Sequence, residues 1–411
     1  MLMSQDLFLA CLATILLLCA VVLLIPSVVF FIECVAAIFG QPADVAESDF
    51  REHPKLAVLV PAHNEASCIR ATLETLIPQL QVSDRLIVVA DNCNDDTAAI
   101  ASTFDVTVIE RHDLDHRGKG YALDYGLKFI ETDEIEPPEV VVVVDADCAV
   151  EPGTLHRIAR LADDLGHPVQ ATYLMEQPEN PGPNDLISMF AIKIKNQVRL
   201  TGLSRLNWPC LLTGSGMAFP WSVVRKVSLA GDKTTDDMQL AIDLAIAGYP
   251  PIYCSKAKVL GRLMKDGAAK SQRARWEHGH LEMILTQVPR LLKEFVRQGR
   301  YNLLAMAIDL IVPPLSLLVI LWAVVLALAS LAIALGGSLI PLILVAIAGF
   351  LLSLSIFGTW AKFGRSDLPL VKLLTVALYI LWKIPLYLRF LIQPQNRWVR
   401  TERDAVDTPE L

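Results

Sequence analysis

Asp145-Ala-Asp147 sets two carboxylates two residues apart, directly after the five valines Val140 to Val144. An unbroken apolar run of that length reads as a strand buried on both faces, and ligands of open α/β sheets bind just past the carboxyl ends of strands. Two hard oxygen donors at such a tip suit Mg2+ or Mn2+ beside a phosphate-bearing substrate. The same tripeptide without the valine strand would be an ordinary acidic turn.

Four other groups carry chemistry of the same kind. Asp91, Asn92, Asn94, Asp95 and Asp96 crowd a second strand end; Asp95 or Asp96 caps the helix starting near Thr97, and Asp91 is placed to accept hydrogen bonds from a nucleotide base. Arg117-Gly-Lys119-Gly120 opens a helical stretch with two cations near a helix N-terminus, which favours phosphate; a basic surface turn is the alternative. In Thr235-Asp-Asp237 one aspartate caps a helix and the other is free to act as a general base, although capping alone would explain the pair. Gln272-Arg-Ala-Arg275-Trp276 offers an arginine for a diphosphate and an indole for a sugar face; the alternative is a membrane-surface helix. His278 and His280 are two apart, on different sides of a helix, which argues against a paired metal site.

The elements that must hold these residues follow from the pattern between Gly40 and Asn302, where short apolar runs alternate with amphipathic stretches. That alternation predicts an α/β domain with a largely parallel sheet. Leu56–Val60 runs into Pro61-Ala-His-Asn-Glu65, Leu86–Ala90 runs into the Asp91 cluster, and Val106–Ile109 makes a third strand. Acidic loops at three strand ends imply one composite site, with Glu65 a further candidate for donor binding.

The ends of the chain differ. Of the 411 residues 53% are hydrophobic and 19% charged, and the apolar excess sits at the termini. Residues 7–32 carry no charge, longer than the ~20 needed for a helix to cross a bilayer; Asp6 stands where a signal peptide would have a basic region, so this reads as an anchor. Residues 310–361 are also uncharged and are broken by Gly336, Gly337 and Ser338, which predicts spans at Leu315–Leu335 and Leu339–Trp360. Basic residues flank the pair at Arg290, Lys293, Arg297 and Arg300 and at Lys362, Arg365 and Lys372, so both flanks are expected in the cytoplasm. Leu373–Ile392 contains Lys383, Pro385 and Arg389 and precedes Arg397, Arg400 and Arg403; it reads as a re-entrant or interfacial helix, with a fourth span as the alternative. Leu186–Val198 and Ile284–Arg297 mix apolar and basic positions at helical spacing, as helices in the headgroup plane do. The net charge of −8 excludes a nucleic-acid partner held by a general basic field. Eight scattered cysteines with no C-x-x-C pair predict free thiols in a reducing cytosol.

The ordered set PAHNE, DNCNDD, RGKG, DAD, TGSG, TDD and QRARW resembles the membrane-bound family 2 glycosyltransferases, the group of cellulose, hyaluronan and poly-N-acetylglucosamine synthases. The resemblance covers roughly Leu56 to Asn302 and the arrangement of spans. It implies a GT-A domain and inverting transfer from a UDP-sugar. It also implies that Asp91 contacts the nucleoside, Asp145 the donor and Asp147 the bridging metal, that Asp237 deprotonates the acceptor hydroxyl, and that Gln272, Arg275 and Trp276 hold the diphosphate and form the acceptor site. T-D-D replaces the family's T-E-D, and Leu211-Leu-Thr-Gly-Ser215 stands where cellulose synthases carry F-F-C-G-S, so a cellulose-like product is not implied. With 19 residues after Ile392, a cyclic-nucleotide-binding domain is not expected there.

The expected organisation is an N-terminal anchor (1–39), a cytoplasmic GT-A domain (40–280), an amphipathic interface helix (281–302), C-terminal transmembrane or interfacial helices (303–392) and a cytoplasmic tail (393–411), in the plasma (inner) membrane. The expected acceptor is a polysaccharide or a lipid-linked molecule, in contact with membrane lipid and possible export or assembly proteins. Two other readings stand beside this: a non-processive enzyme adding one sugar to a lipid-linked oligosaccharide, and an inactive nucleotide-sugar-binding subunit of an export complex.

Overall fold

The computed structural model describes residues 2–40, 53–178, 181–231, 236–262, 266–373 and 383–389. In chain order α1 (Leu2–Phe39) is followed by β1 (Leu56–Ala62), α2 (Ile69–Leu76), β2 (Arg85–Asp91), α3 (Thr97–Ala101), β3 (Thr107–Arg111), α4 (Lys119–Thr132), β4 (Val140–Val143) and β5 (Cys148–Val150). Next come α5 (Thr154–Leu165), β6 (Val169–Met175), α6 (Pro183–Lys193), α7 (Leu200–Arg205), β7 (Met217–Pro220), α8 (Trp221–Val224), α9 (Asp236–Ala247) and β8 (Ile252–Gly261). The chain continues through α10 (Asp266–Gln298), α11 (Tyr301–Leu310), α12 (Leu315–Ala334) and α13 (Ile340–Thr359).

Two compact units emerge. Of the described residues, the first comprises 53–178, 207–231, 236–262 and 266–306, and the second 2–40, 181–206, 307–373 and 383–389. The first is built on an eight-stranded sheet in the order β3-β2-β1-β4-β7-β6-β8-β5. Strands β3, β2, β1 and β4 run parallel to one another, as do β6 and β8, whereas β7 is antiparallel to β4 and to β6, and β5 to β8. All four residues of β4 are buried, as an all-valine strand between helical layers requires. On one face Val58, Val60, Val88, Val140 and Val142 pack with Ile69, Leu73, Leu155 and Ile158 of α2 and α5. On the other, α4 comes so close at Gly126 that a Cβ there would lie 3.0 Å from the Leu59 side chain. Strand order reverses between β1 and β4, and the crevice that such a reversal opens is where ligands of these sheets bind.

Among the described residues the second unit holds three helices long and apolar enough to cross a membrane, within Ala10–Phe39, Leu315–Ala334 and Ile340–Gly364. Pro26 lies inside α1, and the adjacent Ser27 hydroxyl donates to the Leu23 carbonyl at 2.8 Å. Close helix contacts rest on small residues: a Cβ on Gly202 of α7 would stand 2.1 Å from the Glu33 carbonyl of α1, and one on Gly349 of α13 would strike the Trp322 indole of α12. Residues 183–205 therefore belong with α1. They form α6, a π-helical turn at Ile194–Arg199, and α7. Arg199 on that turn donates from Nε to Glu33 (2.6 Å) and from Nη2 to the Asp309 carboxylate (2.6 Å) and carbonyl (2.8 Å), all buried.

The expected helix through Gln272 and the amphipathic stretch Ile284–Arg297 are one helix, α10, which runs on past the 280/281 boundary and through Pro289. Most of Leu373–Ile392, together with Thr235, the residues joining α1 to β1 and the tail 393–411, lies outside the described residues.

Candidate active site

The site is assembled by the pairing of β4. Because β7 runs antiparallel to it, with Val143 opposite Met217, the start of β7 lies at the carboxyl end of β4. The turn Thr213-Gly-Ser215 before β7 thus meets Asp145. The Asp145 N–H donates to Ser215 Oγ (3.1 Å), and Gly216 N–H donates to the Val143 carbonyl (3.0 Å). Gly214 at φ +100 and Gly216 at φ +69 supply left-handed conformations that other residues adopt at a cost.

Lys119 closes the arrangement. From the first residue of α4 its ammonium pairs with Asp145 Oδ1 and donates to the Gly214 carbonyl (2.6 Å). A Cβ at Gly214 would lie 3.5 Å from Asp237 Oδ2 and 4.0 Å from Lys119 Nζ, so the predicted base shares this corner. Asp237 sits half-buried in the first turn of α9 with its Oδ1 accepting from the Met238 N–H at 2.9 Å. The loop leading to it packs on Gly120: a Cβ there would stand 2.3 Å from the Leu229 carbonyl and 3.0 Å from Gly231 N.

Electrostatics at this corner favour a cation. Burial, the largest influence, pushes the Asp145 carboxyl up; Lys119 pulls it down, while Asp147 and Asp237 add to the rise. Burial works to lower the Lys119 pKa, but Asp145 and Asp237 outweigh it and leave it raised. Ligand atoms of Asp145, Asp147 and Cys148 lie within 4.8 Å of one another. Burial, reinforced by both aspartates, pushes the Cys148 thiol well above its ordinary range. The thiol donates to Asp147 Oδ1 at 3.6 Å, and the two carboxylates offer hard oxygen donors that fit Mg2+ or Mn2+. Tyr173, beside Cys148, is held neutral by burial in the same way.

Glu65 and Asp91 belong to a second cluster, at the ends of β1 and β2. Asn64 (φ 55) and Asn92 (φ 51) take left-handed conformations there, which asparagine tolerates. Asp91 is the last residue of β2, buried, and its Oδ1 accepts from Arg111 Nη1 (2.6 Å) and Asn92 Nδ2 (3.0 Å). Arg111 also reaches Asp113 (3.0 Å) and lies over the Tyr121 ring, 5.7 Å from its centroid. The Asp91 carbonyl accepts from His63 Nδ1 at 2.6 Å. Buried Glu65 donates its N–H to Thr97 Oγ1 (2.8 Å), and Asp95 accepts from the N–H groups of Thr97 (3.0 Å) and Ala66 (3.1 Å). Asp95 rather than Asp96 therefore satisfies the start of α3.

Gln272, Arg275 and Trp276 are half-buried on the early turns of α10. β8 leads into that helix and ends with Gly261 paired to Cys148, one residue beyond the metal pair. Three contributors escape a reading of the sequence alone. Arg111 is visible only once β2 and β3 are in register, which sets it opposite Asp91. Gln170 of β6, fully buried, accepts from Thr213 N–H (2.8 Å) and donates to the carbonyls of Ser215 (2.9 Å) and Ala171 (2.8 Å), fixing the turn that holds Asp145. Ser215, fully buried, holds the Asp145 amide.

A family model described as "Glycosyltransferase like family 2" matches residues 53–279. A probable glycosyltransferase, YdaM, of Bacillus subtilis (strain 168) is 37% identical over 107 residues, 24% of this chain and 24% of its own. The chain thus spans about a quarter of the length of that relative. Among solved structures, the mannosyltransferase PcManGT from Pyrobaculum calidifontis, in complex with GDP-Man and Mn2+, superposes with a TM-score of 0.54 at 20% identity, over 90% of this chain and 99% of its own. Glucosyl-3-phosphoglycerate synthase from Mycobacterium tuberculosis, with Mn2+ and UDP, covers 55% of this chain and 78% of its own at 18% identity and a TM-score of 0.37.

Proposed function

The chain belongs to the family 2 glycosyltransferases, and on that premise we propose a membrane-bound, inverting enzyme that transfers a sugar from a UDP-sugar to a polysaccharide or lipid-linked acceptor. The observation that carries this is the meeting of Asp145, Lys119, Gly214 and Asp237 at the carboxyl end of β4. Asp237 accepts the proton of the acceptor hydroxyl as its oxygen attacks the anomeric carbon. The bond from that carbon to the diphosphate breaks, and attack from the opposite face inverts the centre. A single carboxylate base suits this displacement.

Asp145 and Asp147 would hold Mg2+ or Mn2+. When bound, that cation supplies charge neutralisation for the leaving diphosphate. Lys119 and Arg275 add fixed positive charge, Asp91 and Glu65 orient the nucleoside, and Gln272 and Trp276 complete the acceptor side. The three apolar helices and the basic residues flanking α12 and α13 support insertion in the inner membrane with the sheet-bearing unit in the cytoplasm. The subfamily this resembles, that of the cellulose and hyaluronan synthases, makes the acceptor a growing polymer. Single addition to a lipid-linked oligosaccharide remains the second reading, and an export-complex subunit without turnover the third.

The test is UDP release by the full chain in nanodiscs, screened over common UDP-sugars. Wild type should turn over one of them, and chelation should stop it until Mn2+ is restored. Asp237→Asn should retain UDP binding and lose turnover by on the order of a hundredfold or more. Equal rates for wild type and Asp237→Asn would sink the assignment, and product length on a gel separates polymer from single addition.

A further inference from the structure

Two helices of the sheet-bearing unit, α9 and α10, are joined side by side through polar groups. Arg290 of α10 donates from Nη1 to Asp243 Oδ1 of α9 at 2.6 Å and to Gln287 Oε1 of its own helix at 3.1 Å. The Gln239 amide of α9 donates to both Asp243 oxygens at 3.1 Å and reaches Gln287 Oε1 at 3.5 Å. Gln287 is buried, as are Met283 and Leu291 one turn to either side, so this face of α10 is turned into the unit. The arrangement has a cost, because Gln239 Oε1 is buried without a hydrogen-bond partner. It also adds little stability, because Arg290 keeps 41% and Asp243 28% of the side chain exposed. What directional bonds add over apolar packing is a defined angle between the helices.

We propose that Asp243, Arg290 and Gln239 are positioning residues for transfer, which fix the rotation of α9 and so the aim of Asp237; the inference rests on Asp237 being the base, as proposed above. At about 100° per residue, Gln239 and Asp243 stand roughly 200° and 240° around α9 from Asp237. The tie is therefore on the far side of the helix from the corner where Asp237 faces Gly214. A helix held only by apolar side chains can turn a little about its axis. The Asp237 carboxylate is about 6 Å from that axis, so a turn of about 10° moves it by about 1 Å, a displacement worth on the order of a hundredfold in rate. The partner helix is also the one that carries Gln272, Arg275 and Trp276. Base and acceptor groups thus share one frame.

The full chain in nanodiscs is assayed for UDP release with the UDP-sugar that the wild type turns over, and kcat, donor KM and the unfolding midpoint are measured together. Asp243→Ala and Arg290→Ala should each lower kcat by about tenfold. Donor KM should stay within about twofold, because Asp91, Lys119 and Asp145 lie outside both helices, and the midpoint should fall by no more than about 4 °C. Since the two side chains act as a pair, the double alanine variant should be no slower than the slower single one. Asp243→Asn and Arg290→Lys, which keep size and part of the hydrogen bonding, should retain more of kcat than the alanine variants. Wild-type kcat in both alanine variants, a raised KM at unchanged kcat, a falling midpoint with unchanged kcat, or losses that multiply in the double variant would each overturn the inference. Asp237→Asn run alongside separates the premise from it. Wild-type turnover there refutes the base itself, whereas a dead Asp237→Asn beside fully active pair variants refutes the positioning alone.

Discussion

Replacing Gln170 by leucine tests whether the active-site corner depends on a buried amide far from the reacting atoms. The side chain is fully buried and makes three hydrogen bonds, of which those to Thr213 N–H and the Ser215 carbonyl reach across to the turn. Leucine fills a similar volume but leaves both main-chain groups without a partner, at about 1–3 kcal/mol each. After a small gain from the added apolar side chain, the net loss should be roughly 2–5 kcal/mol. At roughly 2–4 °C per kcal/mol for a domain of this size, the unfolding midpoint of the full chain in detergent should fall by about 4–20 °C. Function should suffer as well, because the freed turn carries Ser215, which holds the Asp145 amide, and Gly214, which receives Lys119. A misplacement of about 1 Å costs on the order of a hundredfold in rate, so turnover should drop by about tenfold to a hundredfold at saturating donor. Gln170→Glu keeps the acceptor for Thr213 but sets a carboxylate against two carbonyl oxygens; it should be at least as impaired. The assays are thermal unfolding by intrinsic fluorescence and UDP release. A Gln170→Leu protein with wild-type midpoint and wild-type turnover would refute the reasoning that this amide positions the site.

Three further outcomes are expected. Gly120→Ala puts a Cβ 2.3 Å from the Leu229 carbonyl, so the backbone there must move; UDP release should fall by about tenfold or more, and the unfolding midpoint should fall as well, by the equivalent of about 1–3 kcal/mol. Arg199→Met leaves Glu33 and Asp309 as buried carboxylates without their shared cation, a loss of about 3–5 kcal/mol. The midpoint should drop, and Glu33→Gln with Asp309→Asn in the same chain should restore most of it. For Asp95, burial raises the pKa but the hydrogen bonds from Thr97 and Ala66 outweigh it and leave the pKa lowered. Its contribution to stability is therefore present above its unfolded pKa of about 3.9 and is lost as pH falls through the lower folded value. Urea midpoints of wild type and Asp95→Ala should differ at neutral pH and converge in acid.

How far the site could be read before the fold was known depends on whether a residue acts through its neighbours in the chain or through a strand pairing. Asp145 and Asp147 stand out because a run of valines has one physical use, a strand buried on both faces, and its end is a defined place. Asp237 stands out as one of two acids opening an amphipathic helix. The three long apolar helices follow from length and charge alone. Lys119 was legible as a cation at a helix start, but its partner was not, because only the pairing of β4 with β7 brings Gly214 and Asp145 to the same point. Gln170 and Arg111 had no local signal: one glutamine and one arginine in strands gain meaning only from register, as in the pairing of Asp91 with Arg111. Residues 183–205 read as a basic amphipathic stretch; their place beside α1 depends on Gly202 and on the buried Arg199, both of them tertiary facts.

Topology also explains why the polar residues form two clusters. β4 is parallel to β1 on one side and antiparallel to β7 on the other. A strand with such neighbours exposes its carboxyl end both to the loop ends of a parallel half and to the loop beginnings of an antiparallel half. On the proposed reading the parallel half, through Glu65, Asp91 and Arg111, recognises the nucleoside, and the other half, through Ser215, Gly214 and, after β8, the start of α10, serves the sugar, the leaving diphosphate and the acceptor. Among the described strands β4, through Asp145 and Asp147, borders both. Binding and transfer are then mechanically separable. Loosening the Asp91–Arg111 pair, as Arg111→Met would, should raise KM for the donor with little change in kcat. Loosening the turn held by Gln170 should lower kcat with little change in KM. If both variants moved the same constant, the division of labour between the two halves of the sheet would be wrong, even with every contact as described.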